Sequence, residues 1–257
     1  MTTIRGLFRL LKFIVVLSFY VSRLALTSLF RGWSLDLGLR HRQQCVRALM
    51  NALNIRLETR GKTDYEGNFL YISNHRCYLD PIAELTRIRA LPVAKAEVAK
   101  LPIVGYGARI SGIHFVERSS LKSRKDTRLG MAKTIAEGKS ILIYPEGTTV
   151  KAVTSGAYKP GTFNMAAQNN ISIIPIAIEY GDPDDAWVGP EGMPTHFLRQ
   201  FGQKNKKIRV HYGDPVWHED ANELLRLVKE WIDAQLMSIR REWNLPLEVT
   251  PSQGVNS

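Results

Sequence analysis

The chain carries only two cysteines, Cys45 and Cys77, in 257 residues. So sparse a pair makes neither a disulfide framework nor a metal-ligand spacing, and the thiols read as reduced and cytoplasm-facing. No cluster of His, Cys and Glu has metal-site spacing, so no metal is expected. A Gly-x-Ser-x-Gly elbow is missing too, which leaves a serine acyl-enzyme without support. Gly105-Tyr106-Gly107 follows an apolar pair, but Ile110 stands where a dinucleotide loop needs its third glycine. That stretch reads as helix or turn. Neither an internal repeat nor a low-complexity tract is present. In the apolar N-terminal segment the longest uncharged run, Phe13 to Ser22, falls well short of the ~20 residues that a spanning helix needs.

Acidic residues are scarce at the N-terminus. Residues 1–62 hold eleven Lys and Arg against only Asp36 and Glu58, so nine of the eleven net positive charges lie there. A basic excess confined to an apolar N-terminus points to anionic lipid headgroups, whereas nucleic-acid binders carry basic stripes through the folded domain. Between Ile4 and Phe30, the charges Arg5, Arg9, Lys12 and Arg23 fall within an arc of about 60° at helical spacing, as in a helix lying in a membrane interface. Two other readings compete. One is a signal peptide, although Arg23 follows its apolar stretch without a small-residue cleavage site. The other is a single span from Phe13 to Phe30 with Arg23 snorkelling at its edge. Gly32 breaks the helix. A second amphipathic segment, with Leu39, Val46, Leu49, Met50 and Leu53 on one face and Arg40 and Arg47 off it, completes a hairpin. The same pattern also suits a plain core-packing helix.

Beyond the hairpin, β-rich runs alternate with helical patterns. Strands are expected at Ile55 to Arg60, Phe69 to Ser73, Pro92 to Ala94, Ile113 to Val116, Ser140 to Tyr144, Ile173 to Ile178 and Lys207 to Tyr212. Helices are expected at Leu79 to Arg87, Ser123 to Glu137, Gly161 to Ala167 and Asn222 to Arg241, the last with Leu225, Val228, Ile232, Leu236 and Ile239 on one face. This is an α/β alternation, and a hydrophobic content of 44% is enough for one such domain with an appendage. The organisation predicted is a membrane-associating helical hairpin at 1–54, an α/β domain at 55–242 and a tail at 243–257. Asp182 to Pro194, rich in Asp, Pro and Gly, reads as a loop and a candidate lid.

Two constellations can carry chemistry. Asn74, His75 and Asp80 stand where a strand ends and a helix begins, a position that functional groups favour. A His removes a proton near neutral pH, and an acid bonded to its other ring nitrogen fixes the tautomer. Asp80 is equally placed to be a simple helix cap, with His75 a satisfied loop histidine. In the second, the apolar run Ile141 to Tyr144 enters Pro145, Glu146, Gly147, Thr148 and Thr149. Gly147 permits close backbone approach, and Glu146 can accept from a substrate hydroxyl. A tight strand-ending turn fits the same residues.

Taken together, the chain resembles the glycerolipid acyltransferase family that includes 1-acyl-glycerol-3-phosphate acyltransferase. The likeness rests on Asn74-His75 with Asp80; on Ile113, Phe115, Val116, Glu117 and Arg118; on Tyr144 to Thr148; and on Ile173, Ile174, Pro175 and Ile176. It extends over roughly Ile55 to Tyr212. Thr149 departs from it, standing where arginine is usual. The resemblance implies a mixed sheet flanked by helices, with His75 as general base and Asp80 orienting it. It further implies that Arg118, Glu146, Gly147 and Thr148 bind the acceptor, with Lys95 assisting on phosphate or oxyanion charge. The acyl donor would be acyl-CoA or acyl-ACP, a co-substrate, with no cofactor. The acceptor would be the sn-2 hydroxyl of 1-acyl-glycerol-3-phosphate, or of another lysolipid such as a lyso-ornithine lipid. The expected location is an anionic membrane surface, on the cytoplasmic face of the inner membrane. Hydrolysis of the thioester by water and a silent lipid-binding module are the competing functions. Cys77, beside the pair, fits a small packing residue better than the carrier of a thioester intermediate.

Overall fold

The computed structural model describes residues 2–100, 103–110, 114–116 and 121–248. Helix α1 runs over Thr2–Arg31, and Gly32 ends it at φ +76°, a left-handed conformation that a side chain would strain. Ser34 then caps α2 (Leu35–Ala52), its hydroxyl accepting from the Leu37 amide at 3.2 Å. The predicted face of Leu39, Val46, Leu49, Met50 and Leu53 is buried throughout. Of the two readings, α2 is therefore a core-packing helix as well as the second arm of the hairpin.

The basic stripe on α1 divides. Arg9 is buried, its guanidinium donating to the carbonyls of Phe201 at 3.0 Å, Gln203 at 2.6 Å and Lys204 at 3.0 Å. Arg5 donates to the Gly202 carbonyl at 2.9 Å. These acceptors end helix α7 (Met193–Gly202), where carbonyls lack intrahelical partners and the helix dipole favours a cation. The expectation that the whole stripe meets lipid is thus corrected, since Arg5 and Arg9 face protein and only Lys12 and Arg23 stay at the surface. What α1 turns outward is apolar: Ile4, Leu7, Phe8, Leu11, Val15, Phe19, Leu26, Leu29 and Phe30 are each more than half exposed. Among the described residues, α1 is the one helix long and apolar enough to cross a membrane.

Among the described residues, seven strands form a single mixed sheet: β1 (Ile55–Arg60), β2 (Leu70–Ser73), β3 (Ala90–Lys95), β4 (His114–Val116), β5 (Ser140–Ile143), β6 (Ile173–Tyr180) and β7 (Lys206–Tyr212). Their order is β1-β7-β6-β2-β5-β3-β4, parallel at every junction except β6 with β7. Every residue of β6 is buried, as suits a strand covered on both faces. Alternate side chains take opposite sides. Tyr71, Ile174, Ile176 and Ile178 pack with α2, α7 and α3 (Asp80–Glu84). Leu70, Ile72, Ile173 and Ala177 pack with α5 (Leu121–Ala136), α6 (Gly161–Gln168) and α8 (Ala221–Glu242). Helix α4 spans Val104–Ile110. On α8 the fully buried stripe is Leu224, Val228, Ile232, Leu236 and Ile239, so Leu224 takes the place predicted for Leu225.

Two expectations need adjustment. The helix after His75 is shorter than predicted, ending at Glu84. The loop from Asp182 gives way at Met193 to α7, whose Pro194 sits in the first turn, where a missing N–H is tolerated. What matters for function is that β2 and β5 are parallel neighbours. The loops leaving their carboxyl ends, one with His75 and one with Glu146, are delivered to the same edge.

Candidate active site

Strand β2 ends at Ser73, and Asn74 holds the chain there. Its side chain accepts from the Ile178 amide and donates to the Ile178 carbonyl, both at 2.9 Å, fixing the turn to β6. The next six residues fold back around one carboxylate. Asp80 Oδ2 accepts from His75 Nδ1 at 2.7 Å and from the amides of Arg76 at 2.6 Å and Cys77 at 2.9 Å, while Oδ1 accepts from the Tyr180 hydroxyl at 2.7 Å. Asp80 is fully buried, and this full set of donors is what makes a buried carboxylate tolerable. Burial and the Asp80 charge raise the Tyr180 phenol well above its ordinary range, so it stays a donor. Asp80 opens α3 but its carboxylate makes no cap for that helix. The helix-cap reading gives way to the histidine partner.

The imidazole has a second support. It stacks on the Tyr144 ring, centroids 4.2 Å apart and planes 20° off parallel. With Nδ1 committed to Asp80, Nε2 is the nitrogen left to meet a substrate proton, and the half-buried side chain is accessible enough for that. Beside it, Glu146 Oε1 accepts from the Gly156 amide at 3.2 Å, and Oε2 is buried without a partner among the described residues. Burial pushes the Glu146 carboxyl up to about 7, against the opposing pull of the Gly156 amide, Arg76 and the His75 amide. Gly147 has φ +72°, and a Cβ there would strike the Lys159 ammonium. Thr148 is exposed. The backbone joins the two loops directly, the Val150 amide donating to the His75 carbonyl at 2.8 Å.

A family model described as Acyltransferase matches residues 53–179 and takes in both loops. A lyso-ornithine lipid O-acyltransferase from Rhizobium meliloti is 25% identical over 217 residues, 76% of this chain and 73% of the relative. A 1-acyl-sn-glycerol-3-phosphate acyltransferase from Neisseria meningitidis is 26% identical over 200 residues, 73% of this chain and 77% of the relative. The crystal structure of the 1-acyl-sn-glycerophosphate acyltransferase from Thermotoga maritima superposes with a TM-score of 0.73, covering 93% of this chain and 98% of that one. At 18% identity this likeness establishes the fold. Residues 53–179 of the chain carry an acyltransferase domain, similar to that of the glycerolipid acyltransferases.

Within this acyltransferase the expected residues are placed unevenly. His75, Asp80, Glu146 and Gly147 converge as described. Lys95 ends β3, paired with Val116 of β4, and its side chain lies outside the described residues. Arg118 and Glu117 lie outside them as well. Thr149, at the position of the usual arginine, donates its hydroxyl to the Trp187 carbonyl, and the Trp187 amide donates to the Arg76 carbonyl at 2.8 Å. The stretch read as a candidate lid is thus tied to both site loops. Cys77 is fully buried, and burial with the neighbouring Asp80 raises its thiol well above the ordinary range. A group held so firmly as a thiol is a packing residue, not a nucleophile.

Several contributors carry no sequence signature. Arg76 is buried in an ion-paired triad with Glu179, at 3.3 Å, and Arg240, whose guanidinium reaches the same Glu179 oxygen at 2.8 Å. Its other donors reach the Val150 carbonyl at 2.9 Å and the Thr154 carbonyl at 3.4 Å, shaping the loop beside Glu146. Tyr180 and Lys159 come from separate elements, and nothing in their spacing points to His75; Tyr144 stood in a stretch that carries the family likeness, but its stacking on His75 was not legible there. Glu84 was detectable in principle, as an acid inside the apolar pattern Ile82, Ala83, Leu85.

Proposed function

We propose that this acyltransferase moves a fatty acyl group from an acyl-CoA or acyl-ACP thioester to the sn-2 hydroxyl of 1-acyl-glycerol-3-phosphate, giving phosphatidic acid. The observation that carries the reading is the His75 imidazole fixed by fully buried Asp80, with Nε2 open. Nε2 takes the proton of the acceptor hydroxyl as its oxygen attacks the thioester carbonyl. The tetrahedral adduct collapses with cleavage of the C–S bond, and the proton passes from His75 to the departing thiolate. Asp80 stabilises the imidazolium in between. The thioester is already an activated donor, so the scheme uses no metal or cofactor. Glu146 meets the acceptor glycerol, Gly147 and Thr148 line its approach, and Arg118 and Lys95 supply charge for the phosphate. Lys159, which makes no ion pair among the described residues, adds a third cation against Gly147. The exposed apolar face of α1 seats the enzyme on an anionic membrane at the cytoplasmic face of the inner membrane, where its lipid acceptor resides.

A second acceptor is favoured by one observation. Thr149 supplies no charge, and its hydroxyl is spent on Trp187. That site asks less of a phosphate than an arginine would, and a relative acts on lyso-ornithine lipid. The test is thiol release from acyl-CoA and from acyl-ACP with lysophosphatidic acid and lyso-ornithine lipid as separate acceptors. Turnover of lysophosphatidic acid to phosphatidic acid supports the first reading. Activity on lyso-ornithine lipid alone replaces the acceptor, and free fatty acid without acylated lipid overturns transfer altogether.

A further inference from the structure

Behind the histidine, the mechanism leaves one buried ionisable group unused. Glu84, the last residue of α3, is fully buried between β2, β5 and β7. Ser73 Oγ lies 2.6 Å from Glu84 Oε1 and also 3.0 Å from the Asn74 carbonyl oxygen. The Tyr144 hydroxyl lies 2.6 Å from Glu84 Oε2. The charged or titratable groups facing Glu84 are Asp80 on its own helix, Tyr144 from the turn that follows β5, and Tyr212 from β7, whose hydroxyl donates to the Glu84 backbone carbonyl at 2.8 Å. Among the described residues no lysine or arginine pairs with it.

Counting hydrogens decides how this cluster is bonded. A serine hydroxyl has one hydrogen, and a carbonyl oxygen only accepts. If Ser73 donates to Asn74, the contact between Ser73 and Glu84 needs its hydrogen from Glu84. Tyr144 then donates to Oε2, and all three contacts are hydrogen bonds at once. An ionised Glu84 leaves one of them without a hydrogen, and sets an unpaired anion in a dry interior beside a second carboxylate.

We infer that Glu84 is a neutral carboxylic acid donating to Ser73, and that it is a positioning residue for His75, acting through Tyr144. Burial first, and the Asp80 charge second, raise the Glu84 carboxyl well above the usual range, in keeping with this assignment. The arrangement has two consequences. Tyr144 is anchored at its hydroxyl, so its ring is a fixed wall on which the imidazole stacks at 4.2 Å. And Asp80 is the carboxylate hydrogen-bonded to the imidazole, so the partner that orients His75 is also the one that meets its positive charge. The positioning half of the proposal rests on His75 being the base. The protonation half does not.

The test separates the two. The carbonyl stretch of a protonated carboxylic acid is read by infrared spectroscopy on the purified full chain, as the parent spectrum minus that of Glu84→Gln. The subtraction removes any contribution from Glu146. A parent band that persists through neutral pH is expected, and its absence overturns the neutral assignment. In Glu84→Gln the amide nitrogen donates to Ser73 and the amide oxygen accepts from Tyr144, so kcat within about twofold of the parent and an unmoved pH profile are expected. A displaced profile means that Glu84 carries charge and overturns the assignment. Glu84→Leu should lower kcat by about tenfold to a hundredfold with little change in the acceptor KM, as expected when a catalytic group is misplaced. If Glu84→Leu folds and keeps the parent kcat, or if Glu84→Gln fails to rescue the loss, the positioning role is refuted. His75→Ala serves as the control: should it stay active, the base assignment falls while the infrared band still reports on Glu84.

Discussion

Replacing Glu146 by glutamine should make the protein more stable and less active. In the folded chain burial pushes this carboxyl up to about 7, whereas its ordinary value is 4.5. The folded state therefore holds the proton more tightly than the unfolded state. Its contribution to stability is fully present below about 4.5, is lost as the pH rises to about 7, and is level beyond. That interval corresponds to a ceiling of about 3 kcal/mol, and relaxation with partial hydration brings the expected loss to about 1–2 kcal/mol. Glutamine is neutral at every pH and keeps an oxygen for the Gly156 amide, so it avoids the loss. Glu146→Gln should then unfold about 2–8 °C above the parent at about pH 8, and the two should converge near about pH 4. Thermal unfolding followed by circular dichroism across a buffer series measures this. The same variant should release thiol more slowly, since it gives up the carboxylate proposed to meet the acceptor, a stability-for-function exchange common at active sites. A gap between variant and parent that does not widen with pH would refute burial as the origin of the perturbation.

Three further outcomes are expected. His75→Ala should lower acyl transfer by about 10² to 10⁴-fold at equal folded concentration, and Asp80→Asn by less, because the Arg76 and Cys77 amides hold the asparagine oxygen toward His75 and so preserve the tautomer; a thiol-release rate for His75→Ala within a few-fold of the parent would rule the base out. Arg9→Ala removes three hydrogen bonds to the end of α7 and should cost about 2–4 kcal/mol, read as a clear drop in the unfolding midpoint; an unchanged midpoint with weaker vesicle binding would restore the headgroup reading of that residue. Lys159→Ala should raise the KM for an anionic acceptor several-fold and leave the acyl-donor KM alone, and Thr149→Arg should not compensate, because it breaks the bond to Trp187; equal effects on both Michaelis constants would remove Lys159 from the headgroup site.

Much of this protein is legible in its amino-acid sequence. The β-rich run Ile55 to Arg60 and the apolar stretch Ile173 to Ile178 announced strands, and a turn ending β2 and β5 placed His75 and Glu146 where chemistry is usually found. Those signals are local, set by backbone propensity and by which side chains avoid water, and the order of residues records them directly. The same is true of the α2 face, where Leu39, Val46, Leu49, Met50 and Leu53 recur at helical spacing and are all buried. Helix α7 escaped notice because its first turn follows a stretch rich in Pro and Gly, and its apolar pair Phe197 and Phe201 needs α1 to cover it.

What the tertiary structure alone decided concerns polar groups. A positive stripe on α1 has the same spacing whether it faces lipid or protein; only the free carbonyls at the end of α7 show that Arg5 and Arg9 turn inward. Asp80 at the start of a helix is a cap or a histidine partner with equal right, until Tyr180, a hundred residues away, is seen to fill its other oxygen. Tyr144, Glu84 and Arg76 join the site through neighbours on other strands. Apolar burial is nearly directionless and leaves a periodic trace in one segment. A hydrogen bond needs a particular donor at a particular angle, and for these residues the sheet order β6-β2-β5 is what brings the partners together.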